Sequence, residues 1–241
     1  MARNSLKDAT VIVTFPGIGN VGSITANYIL KNSRSKPIID MYSKYMPAVL
    51  ISDGSGKFNL PKISGSVIIS QNKKVVFYVG DAQPPTEAGV YKLSKKLVEN
   101  LKANGARELI ILGGIGLEAE PENPKTYFIT NDDKLSNSLK RSGIDSAAVS
   151  KVNVVLGTSG VLFGIAKQKR LKAAIILAET CGAPGYMGLN ATKSLVEALS
   201  SYLGMKIDTK DIKGAISAVK KESHSADRLI EAEETTRHYI G

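Results

Sequence analysis

Continuous apolar runs alternate with segments whose apolar residues recur at helical spacing along most of this chain. The runs predict strands at TVIVTF, KPIIDMY, AVLIS, SVIIS, KVVFYVG, ELIILGG, TYFIT, VNVVLG and AAIILAE. Several of them are apolar at every position, which is typical of strands covered on both faces. The repeated order of strand and helix predicts an α/β fold with three layers, α/β/α, around a mixed and mostly parallel sheet.

Four segments between the runs carry apolar residues three or four positions apart, which predicts helices. In the second of them, TEAGVYKLSKKLVENLKANG, Thr86 is placed to cap the first turn and Gly105 to end the last one. The residues that define the four stripes are Val21, Ile24, Thr25, Tyr28 and Ile29, then Leu93, Leu97, Val98 and Leu101, then Leu162, Ile165 and Ala166, and finally Leu195, Leu199 and Leu203.

Two regions depart from this alternation. Residues 43–70 combine short apolar runs with prolines and glycines and hold no helical segment, which predicts a hairpin insertion. Beyond residue 205 the pattern is helical, but the apolar stripe thins after Val219 and the end is rich in glutamate. We therefore predict one α/β/α domain over residues 1–205 and a C-terminal helix with a tail over residues 206–241.

The composition is that of an ordinary globular protein, with 241 residues, 43% hydrophobic and 22% charged. No apolar run approaches the roughly 20 residues of a membrane span, and the start MARNSLKDATVIV shows no secretory signal. Cys181 is the only cysteine, which excludes an internal disulfide or a cysteine-rich metal site. We expect a cytoplasmic protein without a membrane partner.

The formal net charge of +10 lies entirely in the first 205 residues, because the rest holds seven basic and seven acidic side chains. The basic residues are spread thinly, with no arginine-rich run and no interleaved aromatics. This favours a solvated basic surface, which could attract an acidic partner, over a nucleic-acid-binding face.

The stretch TVIVTFPGIGNVGSITANYIL places Gly17, Gly19 and Gly22 in G-x-G-x-x-G spacing between a strand and a helix. Asp40 ends the next strand, near the roughly 20-residue offset at which an acidic side chain holds a ribose in dinucleotide-binding folds. However, Pro16 stiffens the turn, the chain offers no hydride-transfer residues, and the segment after Asp40 breaks into a hairpin. Spacing alone leaves both dinucleotide binding and a structural turn open.

Two further glycine loops, LGGIG and GTSGVLFG, also follow predicted strands and would meet at the carboxyl edge of the sheet. They could form an anion pocket from backbone N–H groups at helix N-termini. Alternatively, they provide turns with positive φ and close helix packing. The candidate ligand-binding residues are Gly17, Gly19, Asn20, Gly22, Gly114, Gly116, Gly157, Ser159 and Gly160.

Catalytic side chains are scarce. His224 and His238 are the only histidines and both lie in the tail, so neither Ser159 nor Cys181 has a histidine partner in the domain. Carboxylates at strand ends could form an acid/base pair, although such residues more often cap helices and order loops. These carboxylates are Asp40, Asp81, Glu118 and Glu179. We predict no catalytic residue, no metal and no cofactor.

The ordered motifs FPGIGNVG, GDAQPPTEAGVYKLSKKLVENLKANGARELIILGGIG and VLGTSGVLFGIAKQKRLKAAIILAET resemble the proteasome assembly chaperone family in its archaeal branch. That family has a G-x-G-N-V-G turn, a D-x-Q-P segment, a G-G-x-G strand end, a G-x-S/A-G-x-x-x-G helix start and an E-T dipeptide. The resemblance extends from about residue 10 to residue 205. It implies a phosphorylase/hydrolase-like fold, homo-oligomers and binding to proteasome-type assemblies, with FPGIGNVG as a structural turn.

The sequence departs from the family pattern at two places. After E-T the family usually has an aspartate-proline element, whereas this chain has CGAPGYMGLNATKS. Members that dock on the proteasome end in a hydrophobic-tyrosine-any tripeptide, and here the tyrosine is one position early. The tail could dock despite this, or residues 222–241 could pack on a neighbouring subunit through Leu229 and Ile230. The partner-binding candidates are Tyr239, Ile240 and Gly241.

These observations leave two functions open. The first is a non-enzymatic, homo-oligomeric protein-binding factor with a proteasome or related ring as partner. The alternative is a small-molecule or nucleotide-binding enzyme that uses the glycine-lined edge of the sheet. Self-association also follows from Tyr186, Met187 and Leu189, which a monomer would rarely expose in a loop.

Overall fold

The computed structural model describes residues 5–52, 56–145, 152–212 and 214. These ranges contain nine strands, five α-helices and one short 3-10 turn. The strands are β1 (Thr10–Thr14), β2 (Lys36–Tyr42), β3 (Ile51–Ser52), β4 (Phe58–Asn59), β5 (Lys62–Ser70), β6 (Lys73–Gly80), β7 (Glu108–Leu117), β8 (Thr126–Thr130) and β9 (Ala173–Cys181). The helices are α1 (Val21–Lys31), α2 (Glu87–Ala103), α3 (Asp133–Arg141), α4 (Gly157–Gln168) and α5 (Leu189–Leu203), and the 3-10 turn is Ile18–Asn20.

Seven strands form one sheet in the order β2-β5-β6-β1-β7-β9-β8. The four central strands β6, β1, β7 and β9 are parallel, while β5 and β8 run antiparallel to their neighbours. Because β2 is antiparallel to β5, five of the seven strands point the same way. This is the mixed, mostly parallel sheet that the sequence predicts.

Helices cover both faces of the sheet and divide the core into two clusters. Alternate strand residues such as Ile12 and Phe77 pack against α1, α3 and α5. Their neighbours Val11 and Tyr78 face the opposite way and pack against α2 and α4. Since the central strands are covered on both faces, every residue of β1 and β9 is buried, which explains their continuous apolar sequence. The three-layer α/β/α prediction is confirmed.

All of the predicted stripe residues are buried on α1, α2, α4 and α5. Thr86 caps α2 by accepting a hydrogen bond from the Gly89 N–H at 3.1 Å, and Gly105 follows the helix with φ +80°. Helix α5 also ends at a glycine with a left-handed backbone, because Gly204 adopts φ +68°. Within the described ranges, no helix combines the length and apolarity that crossing a membrane requires.

Three details differ from the sequence-based prediction. VNVVLG is not a strand, because both sheet neighbours of β9 are already β7 and β8, so residues 152–156 remain unpaired before α4. In the region 43–70 only β3 and β4 form the separate hairpin, whereas β5 joins the main sheet. Helix α3 was not predicted, although Asp132 caps it and Leu135 and Leu139 lie on its buried face.

The C-terminal segment is described only as far as residue 212 and at residue 214. Ile207 and Ile212 pack against the core beside α1, and the Tyr28 hydroxyl donates to the Asp208 carbonyl oxygen at 2.7 Å. The predicted tail, with its candidates Tyr239, Ile240 and Gly241, lies outside the described residues.

Candidate functional site

The carboxyl ends of β1 and β7 meet the turn before α4 around a cavity of about 440 Å³. This position follows from the topology, because parallel strands end at one edge and the chain leaves each of them through a loop. Apolar side chains and glycine backbone make up most of the wall. The glycines in the wall are Gly17, Gly113, Gly114, Gly116 and Gly157.

Gln83 holds two of these loops together. Its side-chain amide donates to the Pro16 carbonyl oxygen at 2.6 Å. Its Oε1 accepts from the backbone N–H and the hydroxyl of Thr158, at 3.1 and 2.8 Å. Gln83 therefore supplies the acceptor for the first turn of α4 that the N-cap residue, Leu156, cannot provide. The D-x-Q-P segment orders the edge of the sheet.

The glycines of FPGIGNVG serve close packing. A Cβ atom on Gly22 would lie 2.8 Å from the Leu112 carbonyl oxygen and would also contact the Thr14 hydroxyl, so α1 approaches β1 and β7 only because this side chain is absent. Gly19 has φ +60° and its carbonyl oxygen accepts from the Gly188 N–H at 2.9 Å. The loop before α5 therefore covers the start of α1.

The nine candidate ligand-binding residues do not all reach the cavity. Gly17, Gly114, Gly116, Gly157 and Ser159 line it. The other four lie in the surrounding turns, where Gly19, Gly22 and Gly160 are closely packed and Asn20 is the N-cap residue of α1. The candidate set thus divides into a cavity-lining group and a packing group.

The dinucleotide alternative fails on strand order. A dinucleotide fold places the second strand beside the first, so that its acidic residue reaches the ribose. Here β5 and β6 separate β2 from β1. Asp40 instead pairs with Lys62 at 2.7 Å and accepts from the Ser64 hydroxyl at 3.1 Å. The hydrogen bond from Lys62 lowers the pKa of Asp40, as expected for a surface ion pair.

The remaining carboxylates at strand ends mostly order the backbone. Glu179 is buried and accepts from the Lys125 N–H at 3.0 Å and the Tyr127 hydroxyl at 2.9 Å. Asp81 accepts from the Lys62 N–H at 3.0 Å, and burial raises its pKa. Glu118 is exposed. These contacts show the two carboxylates ordering loops, which is the structural alternative to a catalytic acid/base pair.

Glu120 is a structural anchor that sequence analysis missed. Its Oε1 accepts from the Thr180 hydroxyl and the Ala191 N–H, both at 3.1 Å. Its Oε2 accepts from the Tyr186 hydroxyl at 3.0 Å and the Asn190 N–H at 3.2 Å. Glu120 therefore caps the first turn of α5, whose own N-cap residue is a glycine. The chain lacks the aspartate-proline element that follows E-T in the family. A glutamate from the loop between β7 and β8 instead supplies the carboxylate at the start of α5.

Neither of the possible nucleophiles has an activating partner among the described residues. Cys181 is buried, with its Sγ 3.5 Å from both the Glu118 carbonyl oxygen and the Ala183 nitrogen. Ser159 is half-buried in the first turn of α4. The part of the chain that the structure describes holds no group of three His, Cys, Asp or Glu side chains suited to a metal ion.

Exposed apolar side chains surround the cavity and continue into a neighbouring groove of about 730 Å³ between α2 and α4. We call the exposed residues of this surface the apolar edge: Ile18, Tyr91, Val154 and Leu156, which are 48%, 59%, 69% and 82% exposed. The cavity and the groove share Gln83, Val155, Leu156 and Gly157, so the surface is continuous.

The loop of Tyr186, Met187 and Leu189 does not contribute such a surface, contrary to the prediction. Met187 is buried, Leu189 packs against the core and the Tyr186 hydroxyl binds Glu120. The loop is apolar because it closes over α1 and starts α5. Self-association must therefore use other exposed apolar side chains, among which those of the apolar edge form one continuous surface.

Comparison with known proteins gives a consistent result. The model of the PAC2 family matches residues 11–225. An uncharacterized protein of Methanocaldococcus jannaschii, MJ1210, is 23% identical over 234 residues, which cover 94% of this chain and 88% of that protein. Among solved structures, Pyrococcus furiosus PbaB, an archaeal proteasome activator, is 21% identical with a TM-score of 0.78, over 94% of this chain and 95% of that one. Pyrococcus furiosus PbaA, an archaeal homolog of proteasome-assembly chaperone, is 23% identical with a TM-score of 0.76, over 95% and 96%.

Proposed function

Because this chain belongs to the PAC2 family, we propose that it is a non-enzymatic protein-binding factor that forms homo-oligomers and binds a proteasome-type ring. PbaB, which shares its fold, is an archaeal proteasome activator, and PbaA is a homolog of proteasome-assembly chaperone. The observation that carries the proposal is the apolar edge, since a protein that acts alone rarely exposes a continuous surface of this kind.

The charge distribution makes a second copy of the chain the natural occupant of the apolar edge. With a net charge of +10, two copies repel wherever their basic surfaces approach. Among the residues that the structure describes, the walls of the cavity and the groove contain no lysine or arginine. An apolar surface is also complementary to itself, which a symmetric contact between identical chains requires.

Leu156→Asp tests this assignment, because the side chain is 82% exposed and its replacement leaves the folded core unchanged. Burying a leucine stabilises a contact by about 1.5–3 kcal/mol, so in a symmetric contact the dissociation constant should rise at least a hundredfold. Light scattering at micromolar concentration measures the change. The matched control is Leu60→Asp, at a loop leucine 58% exposed but outside the apolar edge.

The assignment predicts a dissociated Leu156→Asp protein and an oligomeric Leu60→Asp protein. A wild-type chain that is monomeric at micromolar concentration would contradict self-association altogether. If both variants remain as oligomeric as the wild type, the contact lies elsewhere on the chain.

The ring partner is tested through the tail. If the tail docks, its terminal carboxylate would pair with a basic group while Tyr239 and Ile240 supply apolar contact. Deleting residues 239–241 should then abolish binding to a proteasome ring and leave the oligomer intact. If the tail packs on a neighbouring subunit, Leu229→Asp with Ile230→Asp weakens the oligomer while the deletion has little effect. Ring binding by surface plasmon resonance separates the two results, and unchanged affinity after the deletion rejects tail docking.

The alternative, a small-molecule or nucleotide-binding enzyme, is favoured by one observation. The glycine-lined cavity of about 440 Å³ has the size of many ligand pockets. A thermal-shift panel of nucleotides and dinucleotides tests it. A true ligand at a hundred times its dissociation constant should stabilise the fold by about 2.7 kcal/mol, and such a shift would favour the enzyme.

A further inference from the structure

A second cavity, of about 490 Å³, lies at the opposite end of the sheet from the apolar edge. It opens at the amino ends of β1, β6 and β7, between α3 and the last turn of α5. The described residues of its wall include five cationic and two acidic side chains. The cationic residues are Lys73, Arg107, Lys134, Arg141 and Lys172.

Both acidic side chains of this cavity already have partners. The buried Glu108 carboxylate accepts from the Thr10 hydroxyl and from Arg107, each at 2.6 Å, and from the Tyr202 hydroxyl at 2.8 Å. Asp132 caps α3 through the Leu135 N–H at 2.8 Å and lies 3.5 Å from Lys172. Arg107 and Lys172 are therefore the cations that these two acids offset.

Three cations remain without an acidic partner in the described part of the chain. Lys73 comes from the start of β6, whereas Lys134 and Arg141 come from opposite ends of α3. The one hydrogen bond that Arg141 donates there goes to the neighbouring Ser138 hydroxyl, at 3.3 Å. Three uncompensated positive charges around one concavity produce a focused positive potential.

We propose that this basic cavity binds a compact anion with several negative charges, namely the phosphate chain of a polyphosphate or of a nucleoside triphosphate. Arginine matches phosphate oxygens with a planar pair of donors, and lysine adds point charges. The volume of about 490 Å³ lies within the range of small-molecule pockets. The concave shape and the separate origins of the cations favour a compact ligand over an extended acidic peptide. This site is independent of the proposed function at the apolar edge.

Isothermal titration of the full chain with sodium tripolyphosphate tests the site. Lys134→Gln with Arg141→Gln should weaken binding about tenfold or more, because it removes two charge-assisted interactions. The matched control is Lys96→Gln with Lys193→Gln, which removes the same net charge from exposed positions on α2 and α5 that do not line the cavity. The control should bind like the wild type. Lys73→Gln, on a different element, should also weaken binding, so the test does not depend on α3 alone.

No heat of binding at millimolar tripolyphosphate would overturn the proposal. An equal loss in the control variant would also overturn it, because the attraction would then belong to the whole basic surface. Titrations with ATP and AMP distinguish the sources of the phosphate. Equal affinity for ATP and tripolyphosphate indicates inorganic polyphosphate, whereas tighter ATP binding indicates a nucleotide. AMP binding as tightly as ATP contradicts the need for several charges.

Discussion

Replacing Glu120 with alanine is the sharpest test of how the carboxyl edge is held together. One carboxylate accepts four hydrogen bonds there, two of them from the N–H groups of Asn190 and Ala191 in the first turn of α5. The N-cap residue, Gly188, has no side chain that could replace it. A Cβ at Gly188 would lie 2.8 Å from a Val21 methyl group, so the position cannot supply its own cap.

The expected cost follows from these contacts. Losing an N-cap acceptor costs about 0.5–2 kcal/mol, and a negative charge at a helix N-terminus adds about 0.3–1 kcal/mol. The hydroxyl groups of Thr180 and Tyr186 also lose a charged acceptor, although water can reach part of this half-buried site. We expect Glu120→Ala to lower the free energy of unfolding by about 2–3 kcal/mol. For a chain of this length the melting temperature should fall by about 4–12 °C.

Urea denaturation followed by circular dichroism measures the difference. Glu122→Ala is the matched control, because Glu122 lies in the same loop and is exposed. Glu120→Gln should fall between the two, since one amide oxygen can still accept while the charge is lost. If Glu120→Ala unfolds within about 0.5 kcal/mol of Glu122→Ala, the carboxylate does not stabilise α5 and the capping argument is refuted.

Two further predictions concern packing and capping elsewhere. Gly22→Ala should lower the free energy of unfolding, measured in urea, by at least about 1–3 kcal/mol, because its Cβ would meet the Leu112 backbone. The control is Gly164→Ala inside α4, whose Cβ meets nothing within 4 Å and which should be neutral or stabilising. Equal effects of the two substitutions would show that α1 can shift outward. Asp132→Ala should cost about 0.5–2 kcal/mol at pH 7 relative to Asp133→Ala, because Asp132 caps α3. The hydrogen bond from the Leu135 N–H lowers the pKa of Asp132 from 3.8. The stability that this cap contributes is therefore complete above pH 3.8 and is lost as the pH falls through the lowered pKa. A stability difference between the Asp132 and Asp133 variants that persists unchanged in acid would contradict the mechanism.

The elements that sequence patterns predict well are those whose partners are local. The stripe of Leu93, Leu97 and Leu101 needs only the helical repeat to define a buried face, and Thr86 caps the same helix from three residues away. VNVVLG has strand-like residues, but β7 and β8 already occupy both sides of β9, so the segment cannot pair with the strand that follows it in the chain. Helix α3 has a low density of apolar residues, so its cap at Asp132 was the better signal.

The candidate site is harder to predict from the sequence than the helices are, because the hydrogen bonds that order it join residues far apart in the chain. Gln83 reaches Pro16 and Thr158, which lie 67 and 75 positions away, and Glu120 reaches Ala191 across 71 positions. No spacing rule finds such pairs in a single sequence. The apolar edge was also missed, because Leu156 belongs to a run that looks like a buried strand and is instead 82% exposed.

The G-x-G-x-x-G stretch shows why one spacing can serve two purposes. Its glycines indicate a sharp turn from strand to helix and a helix that packs closely on the sheet. Gly22 allows this close packing here, because a Cβ at its position would meet Thr14 and the Leu112 backbone. Dinucleotide binding requires in addition a second strand beside the first, so that its acidic end faces the same loop. This chain inserts β5 and β6 at that position and uses Asp40 to bind Lys62. Strand order, which no short motif encodes, therefore decides what the glycine turn can do.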